Sequence, residues 1–349
     1  MVNVGLAGFA SAGQGIHAPL ITAAGLHLAA IATANPERVQ QARAAFPDAR
    51  IVPDFDALLA LDDLDLVVLA TPSGLHAEQA RAVVEAGLPV VVDKPLGVDA
   101  SEALAVVDAA RQAGVPLTVF QNRRYDAEHT TMRDVVRSGQ LGEVFRVEMR
   151  WERWRPTPKD RWRENAPPSE GGGIMLDLQT HVVDAAVDLF GPVETVYAQV
   201  FCRTTTSEDD AFLACRHESG AVSHLGTTSV AAAPGPRIRV LGRQGAFVLN
   251  AFESDLDIYP DLRTDEDHCG WVYVGEERVP APRSESSQVD FYRQVAAALQ
   301  ADDVQAAMPV DPRDAVHTLA VIDAARTSAD TNTVVRVITP GDGPAPIEA

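Results

Sequence analysis

The sequence predicts an α/β protein with an N-terminal doubly wound parallel sheet and a C-terminal α+β domain that carries an open antiparallel sheet. Up to about residue 122, strand and helix patterns alternate at intervals of roughly 25–30 residues, which is typical of βαβ units. Beyond that point, residues 144–154 alternate between apolar and polar side chains, and short strand patterns follow. Because 349 residues exceed the usual size of one core, we expect domains at 1–122 and 123–349.

The elements of the first domain follow from apolar runs and from helix start and stop signals. Three consecutive valines before Asp93 suit a strand that is buried on both faces. Asn35-Pro36 begins a helix, whereas Thr71–His76 is predicted to be a loop. The predicted strands are 3–8, 26–32, 64–70, 88–93 and 117–121, and the predicted helices are 16–24, 36–46, 55–61, 77–86 and 100–113.

The second domain is predicted to mix helices with short strands. The predicted helices are 126–138, 174–189, 289–300 and 313–328, and the predicted strands are 144–154, 193–201, 211–217, 221–229, 237–241, 245–250 and 333–337. The C-terminal helix could pack back on the first domain. The tail 340–349 is rich in proline and glycine, and we expect it to be loose.

Charge and composition exclude several classes of protein. The formal net charge of −20 argues against binding to nucleic acid or to an anionic membrane surface. Residues 1–6 lack the basic start of a signal peptide, and no stretch approaches the roughly 20 apolar residues of a membrane helix. The cysteines Cys202, Cys215 and Cys269 are scattered and lack metal-ligand spacing, which indicates buried, reduced thiols in a cytoplasmic protein.

The run Gly8–Gly13 has the form G-x-A-x-x-G and lies between the first strand and the first helix. In the dinucleotide fingerprint of Rossmann domains, the first glycine allows a tight turn and the last allows close helix–strand packing. Ala10 adds one methyl group at the position where the backbone approaches the pyrophosphate. We therefore predict a dinucleotide-binding turn here.

The end of the second predicted strand bears on the choice between NAD and NADP. No acidic residue stands at the strand tip, where a carboxylate would hold the ribose hydroxyls of NAD. Thr33 and Asn35 are neutral donors, and Arg38 lies one turn into the next helix. Donors and an arginine suit a 2′-phosphate, so we expect NADP to be preferred over NAD. The alternative for Arg38 is a solvated helix charge.

Three residues carry the predicted chemistry. Lys94 follows a predicted parallel strand and would point into the ligand crevice, or else it is a solvated lysine at a strand exit. Asp177 and His181 are four residues apart in a predicted helix and would share one face. A histidine beside a carboxylate is suited to act as a general base. The alternatives are a polar helix face in solvent or a metal site with a third ligand, and we predict no metal.

Four motifs follow one another along the chain: the turn near residue 8, Thr71–His76, Asp93-Lys94-Pro95 and Asp177-x-x-x-His181-x-x-Asp184. In this order and spacing, they resemble the motifs of the Gfo/Idh/MocA family (glucose–fructose oxidoreductase / inositol dehydrogenase), and the resemblance covers nearly the whole chain. Two runs, Gln121–Asp126 and Arg161–Glu164, are similar to the branch that contains NADP-dependent scyllo-inositol dehydrogenases.

Three positions depart from the family pattern. Asp93 stands where glutamate is usual, Ala10 replaces the middle glycine, and Gln179 stands where this branch usually has glycine. The change at Asp93 is conservative. We expect Gln179 to narrow or re-aim the substrate pocket, so the substrate is less well defined than the reaction.

The resemblance implies a role for each site residue. The catalytic set would be Lys94, Asp177 and His181. The cofactor would be bound by Gly8, Phe9, Ala10 and Gly13 at the pyrophosphate, by Thr33, Asn35 and Arg38 at the adenosine end, and by Thr71, Pro72, Leu75, His76, Asp93, Lys94, Gln121, Trp162 and Arg163 towards the nicotinamide. Tyr125 and Trp154 would contact substrate, while Arg123 and Arg124 would lie at the domain junction or serve as ion-pair partners. Trp151, Trp154 and Trp162 would cover polyol C–H faces or pack in a core or interface.

We therefore expect an NADP-preferring oxidoreductase that acts on a secondary hydroxyl of a cyclic polyol or sugar. His181 would accept the hydroxyl proton and Lys94 would hydrogen-bond the developing alkoxide, with a pKa lowered beside the nicotinamide ring. The alternatives are a glycosidase that uses bound NAD and a non-catalytic, NADP-bound sensor. A homodimer or homotetramer would form through the open sheet of the second domain, since a large apolar face is rarely left to water.

Overall fold

The structure is a computed structural model, and it describes residues 2–250 and 268–341. The chain divides into two compact units. The first comprises Met1–Asn122 and Gln288–Val316, and the second comprises Arg123–Ser287 and His317–Ala349. Most of the predicted loose tail, from residue 342 onwards, lies outside the described residues.

The first unit is built on a six-stranded parallel sheet. Its strands are β1 (Asn3–Ala7), β2 (His27–Ala32), β3 (Arg50–Val52), β4 (Leu66–Leu69), β5 (Val90–Asp93) and β6 (Leu117–Phe120). Their order is β3-β2-β1-β4-β5-β6, which confirms the predicted doubly wound sheet. The order reverses at β1 and β4, and ligands of open α/β sheets bind at the carboxyl ends of the strands beside such a point. The edge strand β3 was not predicted because three half-exposed residues carry no readable pattern.

Helices connect these strands. They are α1 (Ala18–Ala23), α2 (Pro36–Ala45), α3 (Phe55–Leu59), α4 (His76–Glu85) and α5 (Ala100–Ala113). A π-helical turn, Gly13–His17, precedes α1 and continues directly into it. The segment predicted as a loop before α4 instead contains a 3-10 turn, Ser73–Leu75, and His76 already begins the helix.

The second unit contains α6 (Ala127–Arg137), β7 (Val144–Glu152), α7 (Trp162–Asn165) and α8 (Thr180–Phe190). Its further strands are β8 (Val193–Phe201), β9 (Asp210–His217), β10 (Val222–Thr228), β11 (Ile238–Gly242), β12 (Ala246–Leu249), β13 (His268–Val274) and β14 (Glu277–Pro282). In the rest of the chain, α9 (Val289–Ala298) and α10 (Val304–Ala307) belong to the first unit. The long helix α11 (Pro312–Thr331) begins in the first unit and continues into the second, which ends with β15 (Val335–Arg336).

Among its described residues, the second unit has nine strands in the order β14-β13-β12-β11-β7-β10-β9-β8-β15. We expected an antiparallel sheet, but β7 and β10 are parallel, so the sheet is mixed. The physical reason is the connection between them. After β7 the chain passes through α8, and the antiparallel run β8-β9-β10 then brings β10 back beside β7 in the same direction. An alternating pattern identifies strands but does not give the direction of their partners.

Four short elements of the second half were not predicted. The helices α7 and α10 have four residues each, too few to show helical spacing. β13 and β14 lack a regular alternation, and β14 exposes five of its six residues. Within residues 2–250 and 268–341, no helix combines the length and apolar character needed to cross a membrane. Cys202 is exposed, contrary to the expectation of three buried thiols, whereas Cys215 and Cys269 are buried.

Candidate active site

The glycine turn after β1 has the geometry that a dinucleotide needs. Gly8 has φ +94°, and a Cβ atom there would lie 2.6 Å from the carbonyl oxygen of Ala70. A Cβ atom on Gly13 would lie 2.0 Å from the carbonyl oxygen of Gly8. No side chain fits either position. At both ends of the turn, neighbouring backbone segments therefore approach each other as closely as the sequence indicated.

The residues between these two glycines differ in what they can offer a ligand. Phe9 is fully buried and packs edge-on against Phe46 at 6.2 Å, so only its backbone is available to line a pyrophosphate. Ala10 is half-buried, and its carbonyl accepts the N–H of Gln14 at 2.8 Å. The helical segment begins at Ser11, which is exposed. The backbone N–H groups of its first turn are therefore accessible, and such groups bind anions at helix starts. The turn fits a pyrophosphate.

The residues predicted at the adenosine end are arranged around the start of α2. The side-chain oxygen of Asn35 caps this helix by accepting the backbone N–H of Arg38 at 3.0 Å. Thr33 is buried, and its N–H donates to the carbonyl of Val52 at 3.0 Å. The Arg38 side chain is exposed. Arg38 and the amide nitrogen of Asn35 thus remain as donors that suit a phosphate.

The loop after β4 is exposed at its tip, and hydrogen bonds to the side chains of Gln79 and His76 hold its base. Pro72 and Leu75 are exposed, and the Thr71 hydroxyl donates to Oε1 of Gln79 at 2.6 Å. The buried ring of His76 lies with Nδ1 2.7 Å from the carbonyl oxygen of Pro95 and Nε2 2.9 Å from that of Thr71. Burial lowers the pKa of His76 because desolvation disfavours the charged ring. His76 joins the exits of β4 and β5 and does not present its ring at the surface.

Lys94 lies at the exit of β5, where the side chain of Asp93 fixes its backbone. The N–H of Lys94 donates to Oδ1 of Asp93 at 2.8 Å. Oδ2 of Asp93 lies 3.5 Å from Nε2 of His17. Burial acts to raise the pKa of Asp93, but the contact with His17 and the charge of Lys94 together outweigh it, so the pKa is lowered and the carboxylate stays charged. Gln121 follows β6, the neighbouring strand, and is buried.

In the second unit, Asp177 and His181 do not lie on one regular α-helix as predicted. Asp177 lies in a π-helical turn, Met175–Gln179, and His181 is in the first turn of α8. Oδ1 of Asp177 is 3.5 Å from Nε of Arg163. The guanidinium of Arg163 in turn lies over the ring of Trp162 at 4.9 Å. Three predicted site residues, Asp177, Arg163 and Trp162, are thus in contact.

The three glycines before this turn allow it to approach α7. A Cβ atom on Gly172 would lie 1.9 Å from the carbonyl oxygen of Ala166, and the N–H of Gly173 donates to the carbonyl of Arg163 at 2.9 Å. The backbone that follows α7 therefore packs directly against the glycine run.

The ring of Trp151 contacts that of His181. The two rings stack with centroids 5.2 Å apart and an interplanar angle of 25°. Trp151 is buried, whereas Trp154 is 48% exposed. The guanidinium groups that lie over the Trp151 ring, at 4.9, 5.2 and 5.0 Å, belong to Arg123, Arg153 and Arg237. Of the two alternatives for this tryptophan, core packing is the one observed.

Gln179 is fully buried, and its effect on the substrate pocket stays a prediction. Oε1 accepts the hydroxyl of Thr227 at 2.7 Å, and Nε2 lies 3.4 Å from the carbonyl oxygen of Leu225. Gln179 thus anchors the π-helical turn that contains Asp177 to β10.

The two aspartates of α8 form ion pairs. Arg124 binds Asp184 through two hydrogen bonds of 2.8 and 2.6 Å. Asp188 accepts a hydrogen bond from Nε2 of His129 at 2.8 Å. Burial alone would raise the pKa of Asp188, but His129 and the charge of Arg124 lower it to about 2. The ion-pair alternative thus holds for Arg124.

Arg123 and Tyr125, which flank Arg124 in the sequence, also make contacts within the second unit. Arg123 pairs with Asp126 at 2.7 Å, as expected of an ion-pair partner. Tyr125 is buried, and its carbonyl accepts the hydroxyl of Ser286 at 3.1 Å. In the described part of the chain, no three His, Cys, Asp or Glu side chains lie close enough together to hold a metal ion.

Comparison with known proteins gives the family. Residues 2–121 match an oxidoreductase family with an NAD-binding Rossmann fold, and residues 129–248 match the GFO/IDH/MocA C-terminal domain. The uncharacterized oxidoreductase YdgJ of Escherichia coli K12 is 36% identical over 249 residues, which cover 71% of this chain and 70% of that protein. The chain belongs to the Gfo/Idh/MocA oxidoreductase family. As a member, it is an NAD(P)-dependent dehydrogenase.

Two further proteins are similar to this Gfo/Idh/MocA chain over nearly their whole length. The scyllo-inositol 2-dehydrogenase (NADP(+)) IolW of Bacillus subtilis strain 168 is 27% identical over 342 residues, which cover 94% of each chain. The WlbA dehydrogenase from Bordetella pertussis, in complex with NADH and UDP-GlcNAcA, is 26% identical in sequence with a TM-score of 0.78. That match covers 97% of this chain and 99% of that one.

Two residues beside the predicted site were missed. His17 and Tyr292 are both fully buried, and Tyr292 Oη lies 2.6 Å from Nδ1 of His17. A histidine on the buried side of the helix that follows the glycine turn was a signal for His17. Nothing local marks Tyr292, because it is 275 residues away in sequence.

Proposed function

We propose that the protein transfers a hydride between NADP, or less readily NAD, and a secondary hydroxyl of a cyclic polyol or sugar. The observation that carries the proposal is Lys94 at the carboxyl end of β5, with its amide held by the charged Asp93. The relatives support the substrate class, since one is named a scyllo-inositol dehydrogenase and another is in complex with a nucleotide sugar.

Oxidation of a secondary alcohol requires that the hydroxyl proton leaves as hydride leaves the same carbon. The nicotinamide accepts the hydride. We assign the proton to His181, whose ring is oriented by its stack on Trp151. Lys94 would donate a hydrogen bond to the developing alkoxide. Acid–base assistance of this kind contributes about 10²–10⁴ in rate.

The composition supports a specific need for an amine at position 94. Lys94 and Lys159 are the two lysines of the chain, and arginine supplies its other basic side chains. Arginine is a permanent charge, whereas a lysine can change protonation when its surroundings lower its pKa. A lysine retained at the strand exit therefore suits proton transfer better than a purely electrostatic role. Lys159 is exposed and provides a matched control.

The cofactor preference rests on the start of α2. Arg38 is exposed there, and no acidic side chain stands at the tip of β2. A 2′-phosphate would gain a charge-assisted hydrogen bond from Arg38. The Bacillus subtilis relative is named as an NADP(+) enzyme, which agrees with this preference.

We also propose a homodimer or homotetramer that forms through the outer face of the nine-stranded sheet. This face is not uniformly apolar. Phe201 and Phe212 are exposed on β8 and β9, at 44% and 40%. On β7 the outward residues are charged, and Glu148 pairs with Arg150 and Arg239 at 3.1 and 3.3 Å. An interface here would combine an aromatic half with an ionic half and would weaken in high salt.

The test is turnover with NADP and NADPH on a panel of inositols, inososes and aldoses, followed by nicotinamide absorbance. We expect reversible reduction of NADP with at least one inositol or aldose. Lys94→Ala and His181→Ala should each lower kcat by about 10² or more, with NADPH binding retained, while Lys159→Ala should match the wild type. Glycoside cleavage without net change in absorbance, or full activity of Lys94→Ala, would contradict the proposal.

A further inference from the structure

Three polar side chains of the first unit, two of them fully buried, contact one another in a line that ends at the backbone amide of Lys94. Tyr292, on α9, lies 2.6 Å from Nδ1 of His17. Nε2 of His17 lies 3.5 Å from Oδ2 of Asp93, and Oδ1 of Asp93 accepts the N–H of Lys94 at 2.8 Å. Tyr292 and His17 are both 0% exposed. The line joins α9, the π-helical turn and the exit of β5.

The partners of His17 determine where its hydrogen lies. Burial and the charge of Asp93 hold the pKa of Tyr292 well above its usual value, so the phenol keeps its proton. The phenol O–H donates to Nδ1, and a hydrogen on Nε2 then faces Asp93, whose carboxylate can only accept. This arrangement satisfies both neighbours of the imidazole. At 3.5 Å the contact with Asp93 is electrostatic and longer than an ordinary hydrogen bond.

Aromatic rings hold the imidazole in this orientation. The ring of Phe120 lies 4.5 Å from that of His17, and Phe291 packs edge-on against Phe120 at 4.9 Å. All three rings are buried. In such surroundings water does not compete for the polar contacts, and each contact is stronger than it would be at the surface.

We propose that His17 and Tyr292 are positioning residues for Lys94. They hold the carboxylate of Asp93 in one orientation, which fixes the backbone amide of Lys94 and the direction in which its side chain leaves β5. This inference rests on the proposed function for its effect on catalysis, but the geometry it describes can be measured without turnover.

The phenol oxygen should matter more than the ring that carries it. Tyr292→Phe keeps the packing on Phe120 and removes only the donor to Nδ1 of His17. Nδ1 then loses the donor that keeps it an acceptor, so the imidazole is no longer held with an N–H of Nε2 towards Asp93. His17→Gln is the conservative variant, because a glutamine amide can still donate towards Asp93, whereas His17→Leu removes the donor.

A matched control loses a buried hydrogen bond of the same unit elsewhere. Thr118 on β6 is fully buried, and its hydroxyl donates to the carbonyl of Val310 at 2.8 Å. Thr118→Val therefore removes a buried hydroxyl, as Tyr292→Phe does, without touching the line to Lys94.

The first measurement is amide hydrogen exchange of the protein without added cofactor. We expect Tyr292→Phe and His17→Leu to speed exchange of the Lys94 amide about tenfold or more relative to the wild type. His17→Gln should restore most of the protection, and Thr118→Val should leave it unchanged. Equal exchange at Lys94 in Tyr292→Phe and Thr118→Val would overturn the inference, whether or not the protein turns over substrate.

The second measurement is steady-state kinetics on the substrate found for the wild type. Tyr292→Phe should lower kcat about tenfold and leave the KM for NADP within about twofold, because the nucleotide turn is untouched. Thr118→Val should leave both constants unchanged. An unchanged kcat in Tyr292→Phe, with faster exchange at Lys94, would keep the positioning but reject its catalytic consequence. Absence of turnover in the wild type would count against the proposed function alone.

Discussion

The indole ring of Trp151 stacks on the imidazole of His181, with the ring centroids 5.2 Å apart and the planes at 25°. The guanidinium group of Arg237 lies over the same indole at 5.0 Å. An imidazole held by a fixed aromatic surface has few orientations open to it. The buried aromatic on β7 thus limits the orientation of the proposed base, and Arg163 lies 3.5 Å from Asp177, the carboxylate that the sequence pairs with His181.

Replacing Trp151 should affect catalysis more than binding. We expect Trp151→Leu to lower kcat about 10²-fold, since a displacement of about 1 Å in a reacting group costs that much. Trp151→Phe keeps an aromatic surface and should stay within about tenfold of the wild type. The matched control is Trp271→Leu, because Trp271 on β13 also stacks with an arginine, Arg278 at 3.4 Å. Steady-state kinetics would measure kcat for each variant. An equal loss of kcat in Trp151→Leu and Trp271→Leu would refute the orienting role of Trp151.

The glycine turn offers a second matched pair. Gly13→Ala would place a Cβ atom 2.0 Å from the carbonyl oxygen of Gly8, whereas nothing lies within 4 Å of a Cβ atom on Gly15. We expect Gly13→Ala to lower the free energy of unfolding by about 1–3 kcal/mol and to weaken NADPH binding at least tenfold. Gly15→Ala should be neutral or stabilising by about 0.5–1 kcal/mol, as for glycine within a helix. Thermal unfolding and NADPH fluorescence titration would measure both effects, and similar behaviour of the two variants would be inconsistent with the close approach at Gly13.

Asp188 should make stability depend on acid pH. Its pKa is lowered from 3.8 to about 2 in the folded protein, so the unfolded state binds the proton more tightly. The stabilisation, about 2 kcal/mol, is fully present above the unfolded pKa and is lost as the pH falls through 3.8 towards 2. Urea unfolding between about pH 5 and pH 3 should show a loss about 1 kcal/mol larger for the wild type than for Asp188→Asn. Parallel curves would show that the ion pairs of Asp188 do not stabilise the folded state.

Arg38 should set the cofactor preference. We expect Arg38→Ala to weaken NADPH binding about ten- to a hundredfold, the range of a charge-assisted hydrogen bond, and to leave NADH binding unchanged. Arg43→Ala, an exposed arginine in the last turn of the same helix, is the control. Fluorescence titration gives the four dissociation constants. Tighter binding of NADH than of NADPH by the wild type would reject the preference itself.

Local signals predicted the elements that local chemistry determines. The bounds of α5 were predicted as observed, because Asp99 caps its start by accepting the N–H of Glu102 and Gly114 follows its end in a left-handed conformation. The bounds of β8 were also predicted as observed. The glycine turn was recognised for the same reason, since the contacts of Gly8 and Gly13 repeat wherever a strand turns directly into a helix.

Contacts between segments that are distant in the chain could not be predicted from the sequence. The parallel pairing of β7 and β10 depends on the path of the chain between them, and the burial of Gln179 depends on Thr227, which lies 48 residues away. We expected an effect of Gln179 on the substrate pocket because the branch usually has glycine there, whereas its partners on β10 are visible only in the tertiary structure.

The sequence by itself determined the family, the doubly wound sheet, and the lysine, aspartate and histidine on which the proposed chemistry rests. Spacing and residue type are sufficient for these features because they follow from short-range backbone and side-chain requirements. The tertiary structure alone decided that His17 lies beside Asp93, that Trp151 stacks on His181, and that Tyr292 contacts His17. Each of these contacts depends on burial, which removes competing water and is created only when distant segments pack together.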